Sequence, residues 1–470
     1  MGIEEGKRTP VEIEFAGAAR EVTGSCHLVR TNGRTIALDF GLFQGRRSES
    51  EAKNRHLPVD VSSLDAVVLS HAHIDHAGRL PFLLREGYGN NIWCTAATRD
   101  LCAIMLADSA HIQEKDAEYL SRRSKSHAEP LYTMRDATAA MENMIAIPFR
   151  KSVEILPGVR LTFVEAGHIL GSASVILEFT EDERARRLVF SGDIGRSGLP
   201  IIRDPDPPVG ADVVIMESTY GNRDHPPLED AQARLGEIIR ATAMRGGKVL
   251  IPAFAVGRTQ ELVYDLHALA RAGRIPAIPI FIDSPLAIDA TSVFELHPDT
   301  FDRSEDLVRQ VSELFRFELV RYTRDASESK KLNSMNGPMV IIAASGMAES
   351  GRILHHLANG ADDPRNTILI VGFMAQHTLG RRILERAPVL RVFGDEVPLR
   401  ASVEVLNGYS AHGDRRDLLD WILHVRGSDR PAPKVFLVHG EAEAQDTFAA
   451  TLREHQFPVT VPSRGDRVTA

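Results

Sequence analysis

Residues 71–76 of this chain read His-Ala-His-Ile-Asp-His, and they follow the apolar run Leu64–Leu69, which only Asp65 interrupts. The length and valine content of that run predict a buried strand. Three imidazoles and a carboxylate within six residues cannot enter an apolar core without partners. Each unpartnered polar group would cost roughly 2–7 kcal/mol. The fold must therefore contain a strand that ends in a ligand-rich loop. In such a loop His71 and His73 can face one point while Asp75 and His76 turn toward a neighbouring one. Nitrogen and oxygen donors of this kind suit zinc, but one loop cannot close the coordination shell. Further ligands must come from elsewhere in the chain.

Three other segments offer them: Gly167-His168-Ile-Leu-Gly-Ser172, Ser191-Gly-Asp193-Ile-Gly195 and Leu437-Val-His439-Gly-Glu441. Each places a single His or Asp beside glycine at a predicted strand end, where the backbone can turn tightly. In isolation such a residue is ordinarily structural; beside the 71–76 run it becomes a candidate ligand.

The surrounding pattern gives the organisation. Short strands are predicted at Val11–Phe15, His27–Arg30, Thr35–Asp39 and Ala66–Ser70, then helical spacing over residues 99–144. Strands return at Val159–Val164, Ala173–Phe179 and Leu188–Ser191. After about residue 210 the rhythm changes. Strands at Ala211–Met216, Gly247–Pro252, Ile278–Ile282, Met339–Ala343 and Thr367–Val371 alternate with helical segments. That alternation indicates βαβ units and a largely parallel sheet. Ser402–Leu406 and Val435–Val438 again read as strands.

Composition excludes several classes. At 470 residues, 43% hydrophobic and 25% charged, the chain can bury a sizeable core. No apolar run reaches the ~20 residues of a membrane span, and Met1–Pro10 has no signal-peptide character. Cys26, Cys94 and Cys102 are too scattered for a disulfide framework. They read as reduced, buried thiols of a cytoplasmic protein. The net charge of −9 argues against tight binding of nucleic acid over a broad surface. Local clusters (Arg122, Arg123 and Lys125; Arg381 and Arg382) and bound cations would offset it.

Taken together, the 71–76 run, His168 and Asp193 resemble the ligand motifs of the metallo-β-lactamase fold, and Asp39-Phe-Gly41 resembles its first motif, a structural aspartate. Glu217-Ser-Thr-Tyr-Gly-Asn222, Ser410-Ala-His412 and Val438-His-Gly-Glu441 resemble motifs A, B and C of the β-CASP group. Ala253-Phe-Ala-Val-Gly-Arg-Thr-Gln-Glu261 and Ala344-Ser-Gly-Met347 are similar to further segments of it. That group includes the cleavage and polyadenylation endonuclease and its bacterial and archaeal relatives. The resemblance runs from about Gly17 to Glu441. It implies an α/β protein: an αββα sandwich (1–221 and 403–470) with an inserted β-CASP domain (222–402) built on a mainly parallel sheet. Chain length resembles that of the short bacterial members.

The resemblance implies two Zn2+ per chain. His71, His73 and His168 would hold one; Asp75, His76 and His439 the other; Asp193 would bridge them. A water between two zincs becomes a nucleophile near neutral pH. His412, oriented by Glu217, would give a proton to the departing oxygen, and Asp75 counts with this pair as catalytic. Ser410 could hydrogen-bond a phosphate oxygen. Backbone N–H groups around Ser345 and around His377–Gly380 could bind further phosphates, although ordinary strand-to-helix turns explain them equally well. His377 matches no ligand motif and stays outside the site. A histidine at motif C, His439, points to RNA rather than DNA, single-stranded in the first instance, and a homodimer is compatible with the resemblance. Two rivals remain. A hydrolase of small thioesters, lactams or phosphodiesters would use the same metal loop but leaves Glu217, His412 and the insertion unexplained. A non-catalytic subunit of a processing complex would typically lack some of the seven ligands.

Overall fold

Several strands of this chain are short and solidly apolar, as in Val213–Met216 (Val-Val-Ile-Met) and Met339–Ala343 (Met-Val-Ile-Ile-Ala), and every residue of both is buried. Such runs suit strands covered on both faces. The computed structural model describes residues 11–45, 47–124, 128–181, 184–302, 313–372, 374, 377–428 and 430–469. Lys125, Ala375, Gln376 and the Met1–Pro10 segment lie outside them. The chain divides into two units. One combines the residues up to Gly198 with Asp204–Asp224 and those from His412 onward; the other comprises Leu199–Arg203 and His225–Ala411.

The first unit holds two seven-stranded sheets. One has the spatial order Arg467–Thr469, Glu12–Phe15, His27–Thr31, Arg34–Leu38, Ala66–Val68, Ile92–Cys94, Met144–Ala146. Its pairings are antiparallel as far as Arg34–Leu38 and parallel from there. The other runs Val459–Thr460, Lys434–Leu437, Val213–Met216, Arg184–Phe190, Ala173–Glu181, Val159–Glu165, Val153–Leu156. It is parallel as far as Arg184–Phe190 and antiparallel beyond. A shared core of Ile13, Phe15, Leu38, Val68, Phe163, Leu177, Phe190, Ile215 and Phe436 lies between the sheets. The outer face of the second sheet (Val189, Val214, Leu437) packs on Leu418, Trp421 and Phe448 of helices Arg415–Arg426 and Ala442–Glu454. Helices Leu80–Arg85, Ala96–Ser124 and Met134–Glu142 pack together beside the first sheet. The expected αββα sandwich is present.

The second unit, inserted between Asp224 and His412 apart from Leu199–Arg203, is built on six strands. Their order is Val320–Tyr322, Ile280–Ile282, Met339–Ala343, Lys248–Pro252, Thr367–Ile370, Ser402–Val405. Every pairing is parallel, so the expected mainly parallel sheet is wholly so. Buried Asp283 follows the strand Ile280–Ile282. It accepts hydrogen bonds from Ser329 (2.6 Å) and Arg352 (2.6 Å) and lies 2.7 Å from His356 Nε2. The stretch read as helical over 99–144 resolves into helices Ala96–Ser124 and Met134–Glu142 and the strand Met144–Ala146. Of the basic residues singled out, Arg122 pairs with Glu118 and Arg381 with Glu385.

Candidate active site

Strand direction assembles the site. Val159–Glu165, Arg184–Phe190, Val213–Met216 and Lys434–Leu437 all run the same way. The loops after them therefore gather on one edge of the sheet, and they carry His168, Asp193, Glu217 and His439 in turn. In the first sheet, Arg34–Leu38 leads to Asp39 and the parallel strand Ala66–Val68 leads to His71. Carboxyl ends of parallel strands are where such sheets present their chemistry.

Close backbone approaches lock these loops. A Cβ on Gly41 would sit 1.6 Å from the Asp75 carbonyl oxygen, and one on Gly195 would sit 1.7 Å from that of Gly167. Only glycine lets the Asp39 loop lie on the 71–76 loop, or the Asp193 loop on the His168 loop. Asp39 is wholly buried. Its Oδ1 accepts from Ser70 N (2.8 Å), and its Oδ2 accepts from Ser25 Oγ (3.1 Å) and Ser70 Oγ (3.0 Å). The same Oδ2 lies 2.7 Å from His76 Nδ1 and fixes which ring nitrogen of His76 faces the site. Ser70 Oγ is 3.1 Å from His71 Nδ1, and Thr219 Oγ1 is 3.1 Å from His439 Nδ1.

Two side-chain clusters result. Ligand atoms of His71, His73, His168 and Asp193 lie within 4.8 Å of one another, as do those of Asp75, His76 and His439. His73 Nδ1 is 3.1 Å from both His71 Nε2 and His168 Nε2, and His76 Nε2 is 3.1 Å from His439 Nε2. His439 Nε2 is 3.6 Å from Asp75 Oδ2. Asp193 stands between the clusters. Its Oδ2 is 3.5 Å from His71 Nε2 and from His168 Nε2. Its Oδ1 is 3.3 Å from His76 Nε2 and 3.5 Å from His439 Nδ1.

These residues fit metal ions. Two nitrogens bound tetrahedrally to one zinc at about 2.0–2.1 Å lie about 3.3–3.4 Å apart, close to the 3.1 Å spacings. Asp193 Oδ1 is buried and accepts no hydrogen bond, an arrangement a cation would stabilise. Burial alone would raise the Asp193 carboxyl pKa, but the imidazoles of His439, His76 and His71 outweigh it and hold the group well below the usual range. Burial pushes His71 down, and His73 to about 4, keeping both rings neutral as ligation requires.

Beside the clusters stands a second pair. Glu217 is fully buried. Its Oε1 accepts from Ile194 N (2.7 Å) and lies 3.1 Å from His412 Nδ1, while Oε2 accepts from Thr219 N (3.1 Å). Burial disfavours protonated His412, but Glu217 and Asp193 overcome it and raise its pKa to about 9. The His412 ring lies 4.4 Å from that of His168, and the side chain keeps 19% of its exposure. Sequence reasoning thus reaches every member of both clusters and the Glu217–His412 pair. Nothing local signals the parts of Ser70, which precedes His71, or of Thr219, which lies within the Glu217–Asn222 segment.

The other expected residues belong to the second unit. Ser410 is buried, following the short 3-10 turn Asn407–Tyr409. Ser345 Oγ accepts from Glu349 N (3.1 Å) and Ser350 N (3.4 Å), so the hydroxyl serves its own turn. His377 is exposed, at a left-handed φ of 68°. Asp414 caps helix Arg415–Arg426, accepting from Arg416 N and Asp417 N. No helix among the described residues is long and apolar enough to cross a membrane.

Comparison with known proteins agrees with this fold. Residues 19–245 match the metallo-β-lactamase superfamily, 259–383 the β-CASP domain, and 396–462 the Zn-dependent metallo-hydrolase RNA specificity domain. The chain is 40% identical over 433 residues to Ribonuclease TTHA0252 of Thermus thermophilus, covering 91% of this chain and 92% of that one. It is 32% identical to an RNase J-like protein of Methanocaldococcus jannaschii (97% and 99% covered). It is 31% identical to the transcription termination factor FttA of Methanosarcina mazei (94% and 69%). A crystal structure of an Enterococcus faecalis protein of unknown function shares the fold, with a TM-score of 0.53 at 14% identity over 98% of this chain and 100% of that one. With two histidine clusters sharing one aspartate, an inserted parallel sheet and relatives matched end to end, this chain belongs to the β-CASP group of the metallo-β-lactamase superfamily.

Proposed function

We propose that this chain is a two-zinc ribonuclease hydrolysing phosphodiester bonds of single-stranded RNA in processing or decay. The observation that carries the reading is Asp193, whose two carboxylate oxygens face separate histidine clusters while the Glu217–His412 pair stands beside them. A hydrolase of small esters needs the clusters but not the pair. Relatives named as ribonucleases support RNA as the substrate. His71, His73 and His168 would hold one zinc and Asp75, His76 and His439 the second, with Asp193 shared. Bound there, the ions would neutralise phosphate charge and generate the nucleophile near neutral pH.

The chain's own residues do the rest. Asp39 and Thr219 fix the ring orientations of His76 and His439. Glu217 holds the Nδ1 edge of His412, leaving Nε2 to deliver a proton to the departing oxygen. Ser410, two residues before His412, would bind a phosphate oxygen. Three buried cysteines outside any disulfide support a reducing, cytoplasmic setting.

Cleavage of end-labelled single-stranded RNA by zinc-loaded protein tests the proposal, with and without chelator and beside His76→Ala and His412→Ala. Internal cuts or stepwise loss from one end, abolished by the chelator and by each substitution, is the expected result. An intact RNA after incubation with protein that demonstrably holds two zincs overturns it and redirects attention to DNA and small phosphodiesters.

A further inference from the structure

The acidic chain, at net −9, gathers arginines where its two segments flanking the insertion meet. Arg415 N donates to the Arg223 carbonyl oxygen (3.0 Å), so these segments are hydrogen-bonded together within the first unit. The Arg223 guanidinium lies over the Tyr220 ring (5.3 Å to the centroid), and that ring is 6.1 Å from the His412 ring. Arg223 is exposed, and its side chain bonds to Asn222 Oδ1 (3.3 Å), with no carboxylate partner among the described residues. Arg415 and Arg416 share one counter-ion: their Nη2 atoms are 3.2 and 3.3 Å from the same oxygen of Asp224. Arg415 and Arg416 thus share one ion-pair partner, and Arg223 lies a single aromatic ring away from the proposed proton donor. The nearby Asp414 and Asp417 are committed to each other and to the start of helix Arg415–Arg426.

We propose that Arg223, Arg415 and Arg416 form a phosphate-binding surface for the RNA strand on the side of the departing oxygen, with Arg223 held in place by Tyr220. The inference rests on the ribonuclease reading and deepens it. Planar guanidiniums with free donors match phosphate oxygens in pairs. A partly unpaired cluster costs little to engage, because Arg223 has no ion pair to break. The cluster also explains how an acidic protein can hold a polyanion: the positive field is concentrated beside the chemistry and not spread over the surface. The Tyr220 ring beneath Arg223 restricts its rotamers, so less order is lost when a phosphate binds.

The test is binding and cleavage of a labelled single-stranded oligoribonucleotide by zinc-loaded parent protein, Arg223→Gln, Arg416→Gln, their double variant and Arg223→Lys, over a salt series. Each lost phosphate contact is expected to weaken binding and raise KM several-fold. It should also make the plot of log Kd against log salt shallower by about 0.7 per contact. The lysine variant should recover the salt slope, because it keeps the charge. Equal slopes and affinities for parent and double variant overturn the inference. A merely structural role would lower melting temperature and zinc content without moving the slope. A parent that binds RNA with the expected slope differences but never cleaves it leaves this surface standing and refutes the ribonuclease reading alone.

Discussion

Replacing Glu217 by glutamine removes one charge without changing shape, at a fully buried carboxylate rich in hydrogen bonds. It accepts three of them, from Ile194 N and His412 Nδ1 on one oxygen and Thr219 N on the other. A glutamine supplies one acceptor oxygen. In its better orientation that oxygen keeps Ile194 and His412, and the amide nitrogen then faces the Thr219 N–H, donor against donor. One buried hydrogen bond is lost and one donor stranded, a cost of about 1–3 kcal/mol. In a unit of this size that lowers the melting temperature by roughly 2–4 °C per kcal/mol. The larger effect is on His412, which loses the anion that keeps it protonated and oriented. If His412 is the proton donor, kcat on RNA should fall by about 10²–10⁴, the usual contribution of a positioned acid or base. The decisive assay is a double-mutant cycle of kcat with Glu217→Gln, His412→Ala and both together, at matched zinc content. Because Glu217 acts through His412, the double variant should be hardly slower than His412→Ala alone. Losses that multiply, or a Glu217→Gln enzyme with parental kcat, would refute the pairing as catalytic.

Other consequences are equally direct. Asp39→Ala leaves His76 Nδ1 without its 2.7 Å partner, so zinc affinity measured by chelator competition should fall about 10–100-fold. Gly195→Ala forces a Cβ to within 1.7 Å of the Gly167 carbonyl oxygen; displaced His168 and Asp193 loops should bring substoichiometric zinc by elemental analysis and a lower melting temperature. In the second unit, burial would raise the Asp283 carboxyl, but hydrogen bonds from His356, Ser329 and Arg352 prevail and lower its pKa. Its contribution is therefore present above the unfolded value of about 3.9 and lost as pH falls through the lower folded value. Urea unfolding of parent and Asp283→Asn should differ most near neutrality and converge in acid; a gap that widens in acid would contradict the assignment.

What the sequence makes legible here comes from local chemistry. His71, His73, Asp75 and His76 declare themselves by crowding, and His168, Asp193 and His439 by their place beside glycines at strand ends. Glu217 and His412 become meaningful only through the family resemblance, because nothing local shows that residues 195 positions apart meet. The same limit hid Arg223 and Arg415, which the fold joins by one backbone hydrogen bond. Missed strands were short or polar: Val320–Tyr322 contains Arg321, and Val153–Leu156 contains Glu154. The hairpin Val389–Val392/Asp395–Pro398 turns at Phe393-Gly394, with φ of 55° and 93°. Phenylalanine in that first position is far from the Asn-Gly or Asp-Gly signal such turns usually carry.

The insertion leaves the first unit after Asp224 and returns at His412, so Glu217 and His412 lie on opposite sides of it. His439 comes later still. During synthesis the chain emerges in order and its parts fold as they appear. A growing polypeptide that has not yet released His412 could hold His71, His73, His168 and Asp193, yet it would lack both the proposed proton donor, His412, and the last proposed ligand, His439. Under the proposed assignment, hydrolytic competence would therefore wait until the chain has passed His439. For a protein that attacks RNA, made on a machine of RNA and read from an RNA template, that order of assembly is a safeguard written into the connectivity.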